Sequence, residues 1–485
     1  MIKSTKMKIN SRVFLLTILL YFFLLFSPNN KIMVFLFAVY FLALLKTGWK
    51  IRLALLITYL AGLPFQAGKT LLFEFVSKEA LGIPDWFAGI EALFVISVKD
   101  IAVALMGIML IRDALVAKKW IFRRDAISLL LLLYGVFIVV ASAIGSIRPN
   151  ISLLFGLYEL EPLVLYLYLW HVSGQKKSLF SAAVAVFAAA MFLEFVHASS
   201  QLMEFTKLGP SMEHSSGFIM TEQDRELGPF FFRPAGTLFH ANLLARYILP
   251  YIFIFLPHAF FPAGDKKTIG IPALLLSVCV LILSLSRAAW VAFGVSFLVL
   301  LIIAERVWKY KLRLAPIKNR VAVWGSIALF VMLVSLVFPR ALSSIYFFDK
   351  QGGAKLRIQL LSESWKVIKS NVLWGVGLEM DVYYSFSAST RGSIYRQSPY
   401  PVFNGFVRMW EQSGIFPLVM LLCLTMVVLR IFIKRIVYEK SRVNRFVALS
   451  VAIGLMSLYI NACVHPQPPN LLDVVLLTFL YGYKG

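Results

Sequence analysis

Residues 126–144 read AISLLLLLYGVFIVVASAI and include no charged side chain. An apolar run of this length matches the roughly 20 residues that a helix needs to cross the hydrocarbon core of a bilayer. In lipid, every backbone N–H and C=O group must find a partner within the chain, and this run is too long and too continuously apolar for a barrel strand. The stretch therefore predicts a transmembrane helix that begins shortly after Arg123 and Arg124.

Similar apolar runs recur along the chain and alternate with short basic segments, so the membrane part is the whole protein rather than an anchor for a soluble domain. We therefore expect an all-α polytopic membrane protein with about 12–14 transmembrane helices and a large extracytoplasmic loop. The predicted spans are 13–27, 32–45, 51–65, 89–111, 126–144, 152–171, 178–197, 238–260, 270–285, 288–304, 321–338, 404–429, 446–464 and 471–483.

The composition excludes a water-soluble protein. Of the 485 residues, 60% are hydrophobic and only 15% are charged, and a soluble domain of this size could not cover so much apolar surface. The formal net charge of +24 is spread between the apolar runs rather than gathered on one folded face. The charge therefore indicates membrane topology, and no nucleic-acid partner is expected.

The basic residues predict the orientation of the chain. Lys and Arg are concentrated in every second short loop, among them the segments 112–124, 306–320 and 430–445. Because short loops rich in Lys and Arg stay in the cytoplasm, both termini are predicted to be cytoplasmic. Three long segments, 66–88, 198–237 and 339–403, then lie outside, where chemistry on soluble groups can occur.

Ionisable residues gather near the predicted outer ends of the spans. Such groups are costly in a membrane and suggest either function or structural pairing. Arginine binds phosphate oxygens with two parallel hydrogen bonds and stays charged at any relevant pH, so it suits the headgroup of a lipid diphosphate. Snorkelling to lipid phosphates is the alternative for any single arginine. The group comprises Glu159, Glu161, Arg233, His240, Arg246, Arg287, Arg408, Glu411 and His465.

Two acidic features have simpler explanations. Glu379 and Asp381 resemble the paired acids of metal-dependent glycosyltransferases, but a lone pair in a charged loop is more typical of a solvated loop. Lys99 and Asp100 lie within the predicted fourth span. Consecutive helical residues point about 100° apart, so we expect these two to pair with other helices rather than with each other.

Four stretches in series resemble motifs of the O-antigen ligase and polymerase family. The first is RPAGTLFHAN at residues 233–242, and the second is LSLSRAAW at residues 283–290. The third runs from Arg357 to the WGVG sequence that ends at Gly377, and the fourth is NGFVRMWEQSGI at residues 404–415. The four motifs in the family's order carry the resemblance much better than any one alone.

The resemblance divides the chain into three parts and implies a reaction. Residues 226–430, with the outer loop 339–403, form the ligase-like core between transmembrane helices in 1–225 and 431–485. The implied protein is a GT-C-type glycosyltransferase of the bacterial cytoplasmic (inner) membrane that needs no metal and no cofactor. Its donor is an undecaprenyl-diphosphate-linked glycan, its acceptor is a glycan or lipid, and membrane lipids surround it.

The same resemblance implies roles for individual residues. The arginines that match Arg233 and Arg287 are expected to hold the diphosphate. Substrate contacts are expected from Arg148, Glu161, His240, Asn242, Arg357, Asn404 and Arg408. The family's histidine that activates the acceptor hydroxyl is replaced here by Phe403, which cannot move a proton.

Three residues could replace that histidine as proton acceptor. His465 has a pKa near neutrality in its ordinary state, and Glu411 or Glu161 could act if burial raises the carboxyl pKa. The predicted catalytic set is thus Arg233 and Arg287 with His465 or Glu411. Two alternatives remain open: a transporter or flippase of lipid-linked glycans, and a non-catalytic glycan-binding member of the family.

Overall fold

The computed structural model describes most of the chain. The described residues are 10–25, 30–65, 68–72, 93–118, 122–173, 176–204, 234–238, 241–260, 270–307, 353–384 and 401–482. Among the sequence-predicted features, Arg233, His240 and the predicted span 321–338 lie outside these residues.

Helices dominate the first half of the described chain. The elements in order are α1 (Ser11–Leu25), α2 (Asn30–Lys46), α3 (Ile51–Gly62), the strands β1 (Gly68–Leu72) and β2 (Leu93–Ser97), α4 (Val98–Ala117), α5 (Ala126–Ile144), α6 (Pro149–Tyr158), α7 (Glu161–His171) and α8 (Lys176–Glu204).

The second half is also helical. Its elements are α9 (Ala241–Phe260), α10 (Gly270–Leu283), α11 (Arg287–Ile302) with a π-helical turn (Ile303–Val307), α12 (Gly353–Ser370), α13 (Asp381–Tyr384), α14 (Gly405–Ser413), α15 (Ile415–Tyr438), α16 (Arg442–Ala462) and α17 (Leu471–Leu477) with a second π-helical turn (Thr478–Gly482).

The prediction of an all-α polytopic membrane protein is confirmed. Six helical segments of the described chain are long and apolar enough to cross a membrane, and further apolar helices are shorter. The small antiparallel sheet of β1 and β2, with Gly68 opposite Ser97, is a minor addition to this architecture. The protein is therefore an integral membrane protein.

Three predicted spans differ from the structure. The span predicted at 89–111 starts as strand β2 and becomes helical only at Val98. The span predicted at 152–171 lies within one apolar segment long enough to cross a membrane, Pro149–His171. This segment is interrupted between α6 and α7, because Pro162 has no N–H group to donate back to the preceding turn. The span predicted at 404–429 is interrupted at Gly414, whose φ of +79° ends α14 before α15 begins.

The core of the bundle forms around α8, α9 and α16. Helix α9 packs along α10 and α16, while α8 packs against α1 and α10, and α5 lies along α15. Fully buried aromatic rings fill the space between α8 and α9, where Phe187 and Tyr251 have ring centroids 4.5 Å apart. These packed helices hold the ends of α9, α11, α14 and α16 in fixed positions, and the candidate site lies at those ends.

Candidate functional site

The third and fourth motifs interlock through their backbones. Val376 N donates to Glu411 O at 2.8 Å, and Gly377 N donates to Gln412 O at 2.8 Å. Gly375 has a φ of +67°, and a Cβ atom there would lie 2.6 Å from Glu411 O. Only glycine adopts that conformation and allows that approach at little cost. The WGVG and EQSG sequences therefore form one tightly packed junction, which requires glycine at position 375.

This junction is fixed to the end of α5 and the start of α6. Ile147 N donates to Val376 O at 3.3 Å, and Leu378 N donates to the Ser152 hydroxyl at 2.8 Å. Arg148, predicted to contact substrate, is partly exposed and precedes α6. The junction thus attaches the segment after α12 to the membrane-spanning part of the protein.

The first motif is held by two polar side chains of α8 that lie between membrane-spanning helices. The Gln201 Oε1 atom accepts from Ala235 N at 3.0 Å and from Gly236 N at 2.9 Å. The fully buried Glu194 carboxyl accepts from Thr237 N at 3.0 Å and contacts the Thr237 hydroxyl. These contacts fix residues 234–238, which directly follow Arg233.

The first and second motifs meet at the start of α11. Ser286 donates from its hydroxyl to Asn242 Oδ1 at 2.9 Å, which joins the first turn of α9 to the residue before Arg287. Leu285 has a φ of +49°, a conformation that a leucine rarely adopts. Such local strain persists only where the surrounding structure fixes it, and it often marks a functional turn. The turn places Arg287 in the first turn of α11.

Arg287 and Arg357 interact electrostatically. Burial lowers the pKa of the Arg357 guanidinium, and the positive charge of Arg287 lowers it further. The Arg357 Cζ atom lies 4.3 Å from the centroid of the Phe403 ring, within the range of a cation–π interaction. Phe403, predicted from the sequence to replace the family's histidine, therefore contacts an arginine that interacts with a second arginine.

Asn404 and Gly405 extend this group toward α16. The Asn404 Oδ1 atom caps α14 by accepting from Phe406 N and Val407 N, each at 3.1 Å. Its Nδ2 atom donates to Cys463 O at 3.1 Å. Both ends of the Asn404 amide are thus engaged by the chain itself, which gives this residue a structural role beside its predicted substrate contact.

A last contact closes the arrangement. Gly405 packs directly against the Gln467 carbonyl, where a Cβ atom would overlap it. Arg246 donates to Gln467 Oε1 at 2.6 Å and also to Pro468 O, and it follows Asn242 by one turn of α9. We call this closed series of neighbours the contact ring; its members are Asn242, Arg246, Ser286, Arg287, Arg357, Phe403, Asn404, Gly405 and Gln467.

A polar cavity of about 360 Å³ adjoins the ring at Arg246 and Gln467. Its wall includes three cationic side chains, Lys99, Arg246 and Arg408, and four acidic ones. The acidic residues are Glu159, Glu161, Glu379 and Asp473.

The break between α6 and α7 positions two of these carboxylates. Glu159 accepts from the Tyr134 hydroxyl at 2.6 Å, and Glu161 lies 3.4 Å from Lys99 Nζ. Lys99 Nζ also lies 2.8 Å from Asp100 Oδ1. The expectation that Lys99 and Asp100 would not pair with each other is therefore wrong. Helix α4 begins only at Val98, so both residues lie in its first turn, where the long lysine side chain can turn back toward its neighbour.

Arg408, which also lines the cavity, is held by two acidic residues that follow α12, Glu379 and Asp381. Its Nε atom donates to Asp381 Oδ2 at 2.8 Å, and its Nη2 atom donates to Glu379 Oε2 at 2.9 Å. Burial by itself lowers the Arg408 pKa, but these carboxylates outweigh it and raise the pKa overall. In the described ranges, no group of three or more His, Cys, Asp and Glu side chains is arranged to hold a metal.

The three residues considered as proton acceptors have different surroundings. Glu161 lines the cavity. Glu411 is fully buried, and its Oε2 atom accepts from the Ser364 hydroxyl at 2.6 Å, which ties α14 to α12. His465 is also buried, and its Nδ1 atom accepts from Gln467 N at 3.3 Å. A neutral imidazole in this arrangement carries its proton on Nε2.

Sequence reasoning missed several residues of the site. Gln201 and Glu194 hold the first motif, and Asp473 lines the cavity. Glu194 and Asp473 are acids within predicted spans, so the cost of burying a charge in a membrane was a signal that could have found them. Gln201 carries no such signal, because an uncharged amide near the end of a span is common.

The fold and this site define an integral membrane protein with a ring of arginines and polar groups beside a charged cavity. Residues 272–422 match the family model described as O-antigen ligase, Wzy_C. The predicted relation to the O-antigen ligase and polymerase family is thereby confirmed, and this family implies transfer of lipid-linked glycans to an acceptor in general. The matched segment contains Arg287, Arg357 and Phe403. No curated protein matches the chain.

Proposed function

We propose that this protein transfers the glycan of an undecaprenyl-diphosphate-linked donor to an acceptor hydroxyl at the outer face of the bacterial cytoplasmic membrane. The observation that carries the proposal is the electrostatic interaction between the guanidinium groups of Arg287 and Arg357, which belong to the same contact ring. Like charges repel, and a diphosphate between them would relieve that repulsion while accepting hydrogen bonds from both. Arg233, two residues before the fixed segment 235–237, is the proposed third arginine of this site.

The proposed chemical step needs one anion site and one proton acceptor. The acceptor oxygen attacks the anomeric carbon, the bond from that carbon to the diphosphate oxygen breaks, and its electron pair leaves with the diphosphate. Arg287 and Arg357 stabilise the charge that develops on the leaving group. The hydroxyl proton passes to Glu161, the proposed base that lines the cavity. His465 Nε2–H serves as a further donor to the diphosphate, and Glu411 positions α14.

The helix directions support an outer location. Helix α15 starts beside the contact ring and ends in the basic segment that contains Arg430 and Arg435, and α16 starts at Arg442 and ends near the ring. The ring therefore lies at the helix ends opposite the basic segments. Because basic segments remain in the cytoplasm, the proposed site faces outward.

A reconstituted transfer assay tests the proposal. The purified protein in proteoliposomes receives undecaprenyl-diphosphate oligosaccharide labelled in the sugar, together with an unlabelled acceptor glycan. Arg287→Ala is expected to lower the transfer rate about 100- to 1,000-fold, the usual effect of removing one preorganised group that stabilises transition-state charge. Arg430→Ala, an exposed arginine at the far end of α15, is the matched control and keeps the wild-type rate.

The same assay separates transfer from transport. A flippase would move the labelled lipid across the membrane with its glycan intact. Translocation without release of undecaprenyl diphosphate would contradict the proposed transferase, as would an Arg287→Ala variant as active as Arg430→Ala.

A further inference from the structure

The cations of the cavity are already bound by groups of the protein. Lys99 lies between Asp100 and Glu161, and Arg408 lies between Glu379 and Asp381. A charged group whose hydrogen-bonding capacity is satisfied within the protein has little capacity left for an anionic ligand. These two cations therefore shape the wall rather than attract negative charge.

Two of the carboxylates have a different environment. In the described part of the chain, Glu159 and Asp473 form no direct ion pair, although both interact electrostatically with Arg246. Arg246 is bound to Gln467 and Pro468 instead. Within the protein, Glu159 accepts from the Tyr134 hydroxyl and Asp473 accepts from Asn470. A carboxylate can accept about four hydrogen bonds, so both retain capacity for the donors of a ligand in the cavity.

Sugar hydroxyls match this pattern, because each donates one hydrogen bond and accepts others. The Tyr247 side chain also lines the cavity, and its hydroxyl interacts with the Tyr251 hydroxyl. The tyrosine ring at Tyr158 adds an aromatic surface to the wall. A cavity of about 360 Å³ lies at the small end of the roughly 300–1,000 Å³ typical of ligand pockets, which suits a terminal sugar rather than a long glycan.

We propose that this cavity binds the terminal sugar of the acceptor and selects neutral or amino sugars over acidic ones. The inference rests on the proposed function, because it names the substrate of the same site. A uronic acid would bring its carboxylate beside Glu159 and Asp473, which form no direct ion pair within the described residues, and like charges repel. A neutral sugar donates to these carboxylates, and an amino sugar adds an attractive charge.

The position of the cavity agrees with this assignment. Arg246 contributes to the cavity wall, and Asn242, four residues earlier on α9, binds the residue next to Arg287. Side chains four residues apart on a helix have Cβ atoms about 5–6 Å apart. A sugar that contacts Arg246 in the cavity therefore lies about one helical turn from Asn242 and the start of α11, where the donor diphosphate is proposed to bind.

Direct binding measurements test the inference without the reaction. The full-length protein in lipid nanodiscs is titrated with a panel of methyl glycosides: glucoside, galactoside and mannoside, their 2-amino analogues, and the matching uronides. Binding is followed by saturation-transfer NMR. At least one neutral or amino glycoside is expected to bind at least ten times more tightly than its uronide. A uronide that binds equally well, or a panel in which no member binds, overturns the inference.

Variants connect the selectivity to the cavity. Asp473→Asn and Glu159→Gln are each expected to reduce the preference over the uronide about tenfold. The matched control is Asp113→Asn, which removes a carboxylate paired with Arg52 near the other end of α4, and it keeps the wild-type preference. If Asp473→Asn, Glu159→Gln and the control Asp113→Asn all have the same preference over the uronide, the inference is contradicted. If a cavity variant does not fold, the wild-type panel decides.

A parallel measurement separates this inference from the proposed function. Binding of undecaprenyl diphosphate to the same nanodiscs is compared between the wild type and Arg287→Ala. If the lipid binds in an Arg287-dependent way but the glycosides show no charge preference, the acceptor inference fails and the proposed function stands. If the lipid does not bind in an Arg287-dependent way and the glycosides show no charge preference, both the proposed function and the acceptor inference fail.

Discussion

Replacing Phe403 with leucine removes the aromatic face that lies 4.3 Å from the Arg357 guanidinium. A cation–π interaction stabilises by about 0.5–1 kcal/mol at exposed sites and about 2 kcal/mol when desolvated. Arg357 is partly buried and lies beside a second cation, so we expect a loss of about 1–2 kcal/mol. At tenfold per 1.4 kcal/mol, the KM for the lipid-linked donor should rise roughly 5- to 30-fold.

The electronic origin of this effect can be measured separately from side-chain shape. Phe403 is replaced by phenylalanines with one, two and three ring fluorines, which weaken the negative face of the ring step by step. The logarithm of the donor KM should rise with each fluorine, while kcat changes little because Phe403 touches an arginine and not the reacting atoms. Phe403→Tyr keeps the aromatic face and should retain nearly the wild-type KM.

A flat fluorination series would refute the positioning role of Phe403. The same conclusion follows if the leucine and tyrosine variants have equal donor KM values, since both fill the space but only tyrosine offers a π-system. A large fall in kcat with unchanged KM would instead place Phe403 at the reacting atoms.

Three further predictions concern the framework of the site. Arg408→Met leaves the fully buried Asp381 carboxylate without its cation and should lower the free energy of unfolding in detergent micelles by about 3–5 kcal/mol. Adding Asp381→Asn to this variant should restore part of that stability, and no recovery would argue against the ion pair. Gly375→Ala should destabilise the protein by at least about 1–3 kcal/mol because Gly375 has a φ of +67°. The control Gly294→Ala, in open space within α11, should be neutral or stabilising by up to about 1 kcal/mol. Equal melting curves for the two variants would disprove the close backbone contact between the third and fourth motifs. Gln201→Leu leaves two buried N–H groups of the first motif without an acceptor. It should lower the free energy of unfolding by about 1–3 kcal/mol for each group, measured in the same unfolding experiment. A variant with wild-type stability would show that Gln201 does not hold the first motif in place.

The four motifs were visible in the sequence because glycine, arginine and acidic residues are rare in a chain that is otherwise apolar. Their physical connection was not visible. Gly375 and Gly414 are both required by the backbone contact between the third and fourth motifs, which joins positions nearly forty residues apart. Such a contact depends on how the chain returns on itself, and no local pattern records it.

The roles of single residues differed most from the sequence-based expectations. The sequence predicted that Glu379 and Asp381 form a solvated acidic pair, yet Asp381 is fully buried and forms an ion pair with Arg408. Lys99 and Asp100 read as mid-helix residues, yet the helix begins just before them. In the first case the interaction comes from a neighbour distant in sequence, Arg408. In the second, Asp100 accepts from the backbone and hydroxyl of Ser97 and caps the helix locally, while Glu161 provides a distant partner for Lys99.

By itself, the sequence determined that this is a helical membrane protein, because the hydrophobic effect and backbone hydrogen bonding in lipid depend on composition along the chain. Its motifs also showed the similarity to the O-antigen ligase family that residues 272–422 bear out. Only the tertiary structure decided which charges meet. Electrostatic interactions depend on distance in space, and the packing of the helices makes Arg287 and Arg357 interact and places Arg357 against Phe403, although these three residues lie far apart in the sequence.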